Sequence, residues 1–307
     1  MKVDHQMERH AFTRLSHGSC PKKDEDSSGK GEGHRLEALP LYPRLQNPDR
    51  PTTVNRVDES LRQTLPEAGI SWLRTQQVTI DAIIPARNEA PTVGNVVEAC
   101  LNCSVVREVI VVDDGSTDNT GEIAIRAGAK VIRREDYDGR GGSKAHAMAT
   151  GVAVSDAEAL LFVDADLIGL ESTHLEQICR PFLEGKAVMS LGFFDYGPVL
   201  NPIITRMPPM TGERVLPRWV FEMVPPWHMD GYTIEVMLDK VVVEARLPVV
   251  ARVMNGVTHR TKRDKLGKLE GYRQSLAMFS QLLRLPFTGV VKWRLYLHYL
   301  RSVVIER

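Results

Sequence analysis

The rhythm of apolar positions along this chain changes at residue 78. From there, short continuous apolar runs alternate with segments of helical periodicity. Val78 to Ile84, Glu108 to Val112, Ala129 to Arg133 and the run Leu160 to Val163 read as strands. The spacing between them predicts helices from Pro91 to about Cys103, from a cap at Ser116 or Thr117 to about Ala127, and over Ala147 to Val154. Uninterrupted apolar runs mark strands covered on both faces, and strands alternating with helices at this spacing require right-handed crossovers. The pattern therefore predicts an α/β fold with a Rossmann-like, mostly parallel sheet and helices on both faces. Further on, Ala187 to Phe194 and Pro248 to Asn255 read as strands, and Gly231 to Arg246 and Lys265 to about Leu285 as helices. The Pro- and Gly-rich stretch from Gly197 to Pro226 reads as a long irregular segment of the kind that carries function in compact domains.

Both ends depart from this pattern. Residues 1–70 are rich in His, Lys, Asp, Ser, Gly and Pro without sustained periodicity, and such a segment buries too little apolar surface to order itself, so it reads as a disordered leader. Residues 286–307 mix Trp293, Tyr296, Leu297, Leu300 and Val304 with Lys292, Arg294 and Arg301. They read as an amphipathic, basic C-terminal helix, a packing face or dimer contact in preference to a membrane-surface helix. The predicted organisation is thus a leader (1–70), one α/β domain (71–285) and a terminal helix (286–307).

Charge changes the picture by exclusion. Lys plus Arg and Asp plus Glu number 39 each among 307 residues, so no global field recruits nucleic acid or an anionic membrane, and electrostatic function has to be local. No stretch approaches the roughly 18 apolar residues of a membrane span, and the first residues lack the apolar core of a secretory signal. The expectation is a cytoplasmic protein, with peripheral membrane contact through the tail left open. Cys100-x-x-Cys103 has no second Cys or His pair at zinc-ligand spacing, and its helical phase with Val93, Val96 and Val97 makes these packed thiols.

The candidate chemistry is acidic. Two apolar runs end in carboxylates, one at Asp113-Asp114-Gly115-Ser116-Thr117-Asp118 and the other at Asp164-Ala165-Asp166. Ligands of open α/β sheets gather beyond the carboxyl ends of the strands, and magnesium or manganese takes one or two carboxylates and fills its shell with phosphate oxygens. One such cluster is as readily a helix or turn cap; two together favour a metal-dependent sugar-nucleotide site. The first strand is followed by Pro85-Ala86-Arg87-Asn88-Glu89 rather than Gly-x-Gly-x-x-Gly, and Gly139-Arg140-Gly141-Gly142-Ser143-Lys144 lacks the Gly before Lys of a phosphate-binding P-loop. The dehydrogenase and P-loop readings fall away.

Ile84-Pro85-Ala86-Arg87-Asn88-Glu89, Val111 to Asp118 and Phe162-Val163-Asp164-Ala165-Asp166 resemble family 2 glycosyltransferases of GT-A fold over about residues 78 to 265. The second half resembles glucosyl-3-phosphoglycerate synthase and small uncharacterised bacterial relatives. The resemblance implies a nucleotide-diphosphate donor, taken as a UDP-sugar, and a small polar or lipid-linked acceptor. It implies that Pro85, Ala86, Glu89 and Asp114 line the pocket for base and ribose, and that Lys144 neutralises the diphosphate as a point charge. Asp164 would stand near the ribose or the metal's waters, and Asp166 and His259 would hold Mg2+ or Mn2+. Ala145 follows Lys144 where the family has Gly. On the acceptor side, Thr211, Gly212 and Arg214 resemble a Ser-Gly-Glu-Arg-like loop, with Arg214 as a guanidinium fork for an anionic acceptor or else paired with an acid such as Glu213. Glu235, at a helix start, is the candidate base, and Asp166 is counted with it as catalytic; Glu235 can also simply complement the helix dipole. A homodimer is expected by the same analogy. A nucleotidyltransferase and a non-catalytic sugar-nucleotide binding protein are the competing readings.

Overall fold

The apolar runs become strands because their side chains are buried on both faces. In the computed structural model, which describes residues 78–134, 142–195, 211–225, 233–260 and 303–306, the first strand, β1 (Ile80–Ala86), is buried at all but one position. All described residues belong to one compact unit spanning residues 55–307. The order continues with α1 (Val93–Leu101), β2 (Glu108–Asp114), α2 (Thr120–Arg126), β3 (Lys130–Arg134), α3 (Lys144–Val154), β4 (Ala159–Phe162), β5 (Leu167–Ile168), α4 (Ser172–Leu183) and β6 (Met189–Phe194). Then come β7 (Arg214–Pro217), α5 (Arg218–Glu222), α6 (Thr233–Glu244), β8 (Val249–Met254), β9 (Thr258–His259) and β10 (Val303–Glu306). Eight strands form one sheet in the order β10-β8-β6-β7-β4-β1-β2-β3, and β5 and β9 form a separate two-stranded ribbon.

The predicted parallel half is present: β1 pairs in parallel with β2 and β4, and β2 with β3. Its crossover helices, α1 and α3, bury Val93, Val96, Val97 and Cys100 and Ala145, Met148 and Val152. Burial pushes the Cys100 and Cys179 thiols far up, as inert packed cysteines require.

Three corrections follow. Within the segment read as irregular, Arg214–Pro217 is a fully buried strand, antiparallel to both β4 and β6, and so central to the sheet. Four residues of mixed Arg, Val, Leu and Pro carry no period of their own; the strand exists because β4 and β6 offer it two unpaired edges. The helix after β2 starts at Thr120, with Asn119 at its cap position, rather than at Ser116 or Thr117. Ser116 Oγ instead accepts from the Asn88 amide (3.0 Å) and Asn88 Oδ1 accepts from the Thr117 amide (2.8 Å), which ties the β1 and β2 exits together. Finally, Val303–Glu306, placed in the terminal helix by its amphipathic spacing, is a strand parallel to β8. The β-branched run Val303-Val304-Ile305 favours extended backbone where an edge is open. The leader, the helix from Lys265 and the rest of the tail lie outside the described residues, as do Gly139 to Gly141, Met210, Gly231 and Tyr232.

Candidate active site

The carboxyl ends of β1, β2 and β4 gather the predicted residues on one edge of the sheet. Ala86 ends β1 in register with Asp113, and Asp113 and Asp114 close β2. Asn88, with φ of 56°, turns the chain after β1 through the left-handed region that Asn tolerates. Glu89 follows it, nearly buried, with its amide donating to Thr120 Oγ1 at 2.8 Å. Asp114 is ion-paired with Arg134, the last residue of β3, and the backbone of Gly142 comes so close that an added Cβ would fall 1.8 Å from Asp114 Oδ2. Glycine is required there by that approach.

Lys144 opens α3 and bridges two carboxylates: its Nζ donates to Asp164 Oδ1 at 2.5 Å and to Glu235 Oε1 at 2.7 Å. Burial on its own would lower the Lys144 pKa, but the charges of Asp164 and Glu235 outweigh it and hold the ammonium well above the usual lysine range. The lysine, the first Asp of Asp-x-Asp and the acid in the first turn of α6 thus form one cluster, across 91 residues of chain between Lys144 and Glu235.

The β5/β9 ribbon sets the backbones of Asp166 and His259 at neighbouring positions of two paired segments. Leu167 pairs with His259, and the Arg260 amide donates to the Asp166 carbonyl at 2.9 Å. The His259 ring packs against Phe194 with centroids 5.0 Å apart. Arg260 links this ribbon to the turn after β1, its Nη1 lying 3.4 Å from Glu89 Oε2. Among the described residues no cluster of three or more His, Cys, Asp or Glu is poised to hold a metal. Asp166 and His259 would offer a divalent ion one carboxylate and one imidazole, and such an ion would complete its shell from phosphate oxygens and water.

Of the two readings of Arg214, the structure shows the pairing with an acid. Thr211 and Arg214 are buried, and the Arg214 guanidinium donates to the Thr211 carbonyl (2.6 Å), the Glu235 carbonyl (3.2 Å) and Asp239 Oδ1 (3.1 Å). Arg214 is therefore a strut that fixes α6, and with it Glu235, to β7, and its acid partner is Asp239 rather than Glu213. The guanidinium was legible as an anion fork, but burial on a central strand directs it inward. Gly212 lies against Asp164, where a Cβ would come within 2.3 to 2.4 Å of the carboxylate.

Sequence reasoning missed Arg134, Arg260 and Asp239, and named Glu213 only as a possible partner of Arg214. Burial pushes the Asp239 carboxyl up to about 7, with Arg214 opposing and Glu235 adding to the rise. Asp239 lies four residues after Glu235, on the same helical face, which is the one signal that could have flagged it.

A family model described as "Glycosyl transferase family 2" matches residues 81–236, half of the chain and every element of this edge except the β9 ribbon strand. The chain belongs to glycosyl transferase family 2. It is a nucleotide-sugar glycosyltransferase with the mostly parallel sheet of the GT-A fold. Glucosyl-3-phosphoglycerate synthase of Mycobacterium tuberculosis is 27% identical over 250 residues, covering 69% of this chain and 76% of that protein. The 4,4'-diaponeurosporenoate glycosyltransferase of Staphylococcus aureus (strain USA300) is 37% identical over 106 residues, 34% of this chain and 28% of that one. Among solved structures, the M. tuberculosis synthase in complex with Mn2+, uridine diphosphate and glucosyl-3-phosphoglycerate superposes with a TM-score of 0.52 at 25% identity, covering 68% of this chain and 81% of that one. The same enzyme with Mg2+ and uridine diphosphate gives a TM-score of 0.52 at 24% identity over 62% of this chain and 75% of that one, a likeness of fold.

Proposed function

We propose that this glycosyltransferase moves a sugar from a UDP-sugar, with Mg2+ or Mn2+ bound, to a small polar or lipid-linked acceptor. The observation that carries the reading is the convergence of Lys144, Asp164 and Glu235 beside the Asp166–His259 ribbon, at the edge of the sheet where α/β folds bind nucleotides. The similar synthase solved with Mn2+, uridine diphosphate and a glucosylated product supports the donor class.

In this reading Asp166 and His259 hold the metal, which supplies Lewis-acid stabilisation to the leaving diphosphate. Pro85, Ala86, Glu89 and Asp114 contact base and ribose, with Arg134 and Arg260 keeping the two carboxylates oriented. Lys144 is the mobile charge: a flexible ammonium held by Asp164 and Glu235 can turn to phosphate oxygens when a donor enters. Glu235 then faces the acceptor side with its hydrogen-bond capacity freed, which is where a base for the acceptor hydroxyl is needed. The Thr211-Gly212 backbone forms the wall of this space.

The test is a panel of UDP- and GDP-sugars with manganese, comparing binding and slow hydrolysis by the wild type and by Asp166→Ala. Hydrolysis of one donor that needs both metal and Asp166 supports the reading. Absence of binding by any nucleotide sugar with metal present overturns it.

A further inference from the structure

The contacts around Thr211 bear on a protonation state. Thr211 Oγ1 accepts from the Glu213 amide at 3.3 Å and lies 2.5 Å from each of two further oxygens, the Gly192 carbonyl and Glu213 Oε2. A threonine hydroxyl carries one hydrogen, and a carbonyl has none to give. For both contacts to be hydrogen bonds two protons are needed, and the place for the second is Glu213 Oε2. The surroundings agree. Glu213 is completely buried, and its Oε1 has no hydrogen-bond partner among the described residues, an arrangement costly for a carboxylate and ordinary for an acid. A Cβ on Gly192 would meet Ile178 Cδ1 at 2.6 Å, Met254 Sδ at 3.0 Å and Glu213 Cβ at 3.1 Å, so the root of the Glu213 side chain packs over β6 close to apolar groups of α4 and β8. The charges that act on it come from Asp164, after β4, and Lys144, on α3.

We propose that Glu213 is a neutral carboxylic acid at neutral pH, donating to Thr211 as Thr211 donates to the Gly192 carbonyl, and that this proton positions Asp164 and Lys144 for the donor. The second half rests on the donor reading of those two residues given above. The segment Thr211-Gly212-Glu213 presses on Asp164 through Gly212. An ionised Glu213 would set a buried negative charge behind the half-buried Asp164, repelling its carboxylate and drawing the Lys144 ammonium away from phosphate. Burial first, and repulsion from Asp164 second, push the Glu213 carboxyl up to about 8, against the smaller downward pulls of the Thr211 hydrogen bond and Lys144. The proton is therefore present at neutral pH and leaves on the alkaline side. Lys144, held above its usual range, keeps its charge through the same interval.

Infrared difference spectroscopy of the full chain, with no substrate, reads the protonated carboxyl directly. A buried carboxylic-acid band present at pH 6.5, fading as the pH rises to 9.5 and missing from Glu213→Gln, upholds the proton; a spectrum with no such band in the wild type, or one unchanged by the substitution, overturns it. Should Glu213→Gln fail to fold, Thr211→Val serves, because losing the acceptor of the acid proton shifts the band, and an unshifted band overturns the arrangement. The positioning role is read from the donor KM with manganese. The wild type is expected to show a rise of at least about fivefold from pH 7 to 9 that Glu213→Gln lacks, with kcat less affected. Equal pH profiles in the two proteins overturn the positioning role while the infrared result stands. A wild type that binds no nucleotide sugar overturns the donor reading and the role together, and the infrared band still decides the proton.

Discussion

At the scale of single residues, the site depends on glycines and buried acids more than on its exposed charges. Gly212 has no side chain to offer a ligand, yet that lack of one leaves the room in which the Asp164 carboxylate rests. Gly212→Ala is expected to displace that carboxylate from Lys144 and raise the donor KM by at least about tenfold while thermal unfolding stays cooperative, since one crowded contact costs roughly 1 to 3 kcal/mol; steady-state kinetics and calorimetry on the same sample check both parts. An unchanged KM would show that Asp164 relaxes freely. Asp166→Ala is expected to lower kcat/KM by at least about a hundredfold, the kinetic equivalent of losing several kcal/mol of metal assistance. The acid and lysine of this cluster were legible because Asp-x-Asp and a lysine after a Gly-rich stretch are local patterns. Arg134, Arg260 and Asp239 were not, because their roles come from partners 20, 171 and 25 residues away: Asp114, Glu89 and Arg214.

At the scale of elements, two short pieces do the positioning. The β5/β9 ribbon has two residues per strand and lies apart from the main sheet, yet it ties the segment carrying Asp166 to the segment carrying His259. His259→Ala leaves the backbone pairing in place and removes one metal donor, so the manganese concentration for half-maximal activity is expected to rise at least about tenfold, the order seen when a metal's outer partners are lost. A titration of activity against manganese checks it, and no change would remove His259 from the metal set. The helix α5 begins with Arg218, whose guanidinium donates to the carbonyls of Val152 (2.9 Å), Ser155 (2.7 Å) and Ala157 (2.8 Å) and so satisfies the end of α3. Arg218→Ala is expected to cost about 2 to 4 kcal/mol in urea unfolding, from charge-assisted bonds at about 1.5 to 3 kcal/mol each that water partly replaces. Neither ribbon nor β7 was visible in the sequence: strands of two to four residues are too short to show a period, and they form where neighbouring edges are left open.

At the scale of the whole molecule, the buried acids make stability depend on pH with a definite sign. Asp239 is raised to about 7 and Glu213 to about 8, both first by burial, so between the ordinary carboxylate value near about 4 and these values the folded chain holds protons that the unfolded chain has released. Their contribution is fully present below about pH 4 and is lost as the pH rises through about 7 and 8. The melting temperature of the wild type is expected to fall between pH 5.5 and 8.5 by several degrees, and Asp239→Asn to flatten the lower part of that fall; calorimetry across the range decides, and a rising profile in the wild type would contradict the burial account. The sequence by itself determined the parallel βαβ core, its order and the two acidic strand ends, because continuous apolar runs, helical spacing and strand-end carboxylates are local and repeat at fixed periods. Only the tertiary structure decided that Arg214 faces inward as a strut, that β7 fills the gap between β4 and β6, that Val303–Glu306 extends the sheet, and that Lys144 meets Asp164 and Glu235. Burial, edge pairing and charge contact depend on which distant segments come to share a space, and that is set by the packing of the whole chain.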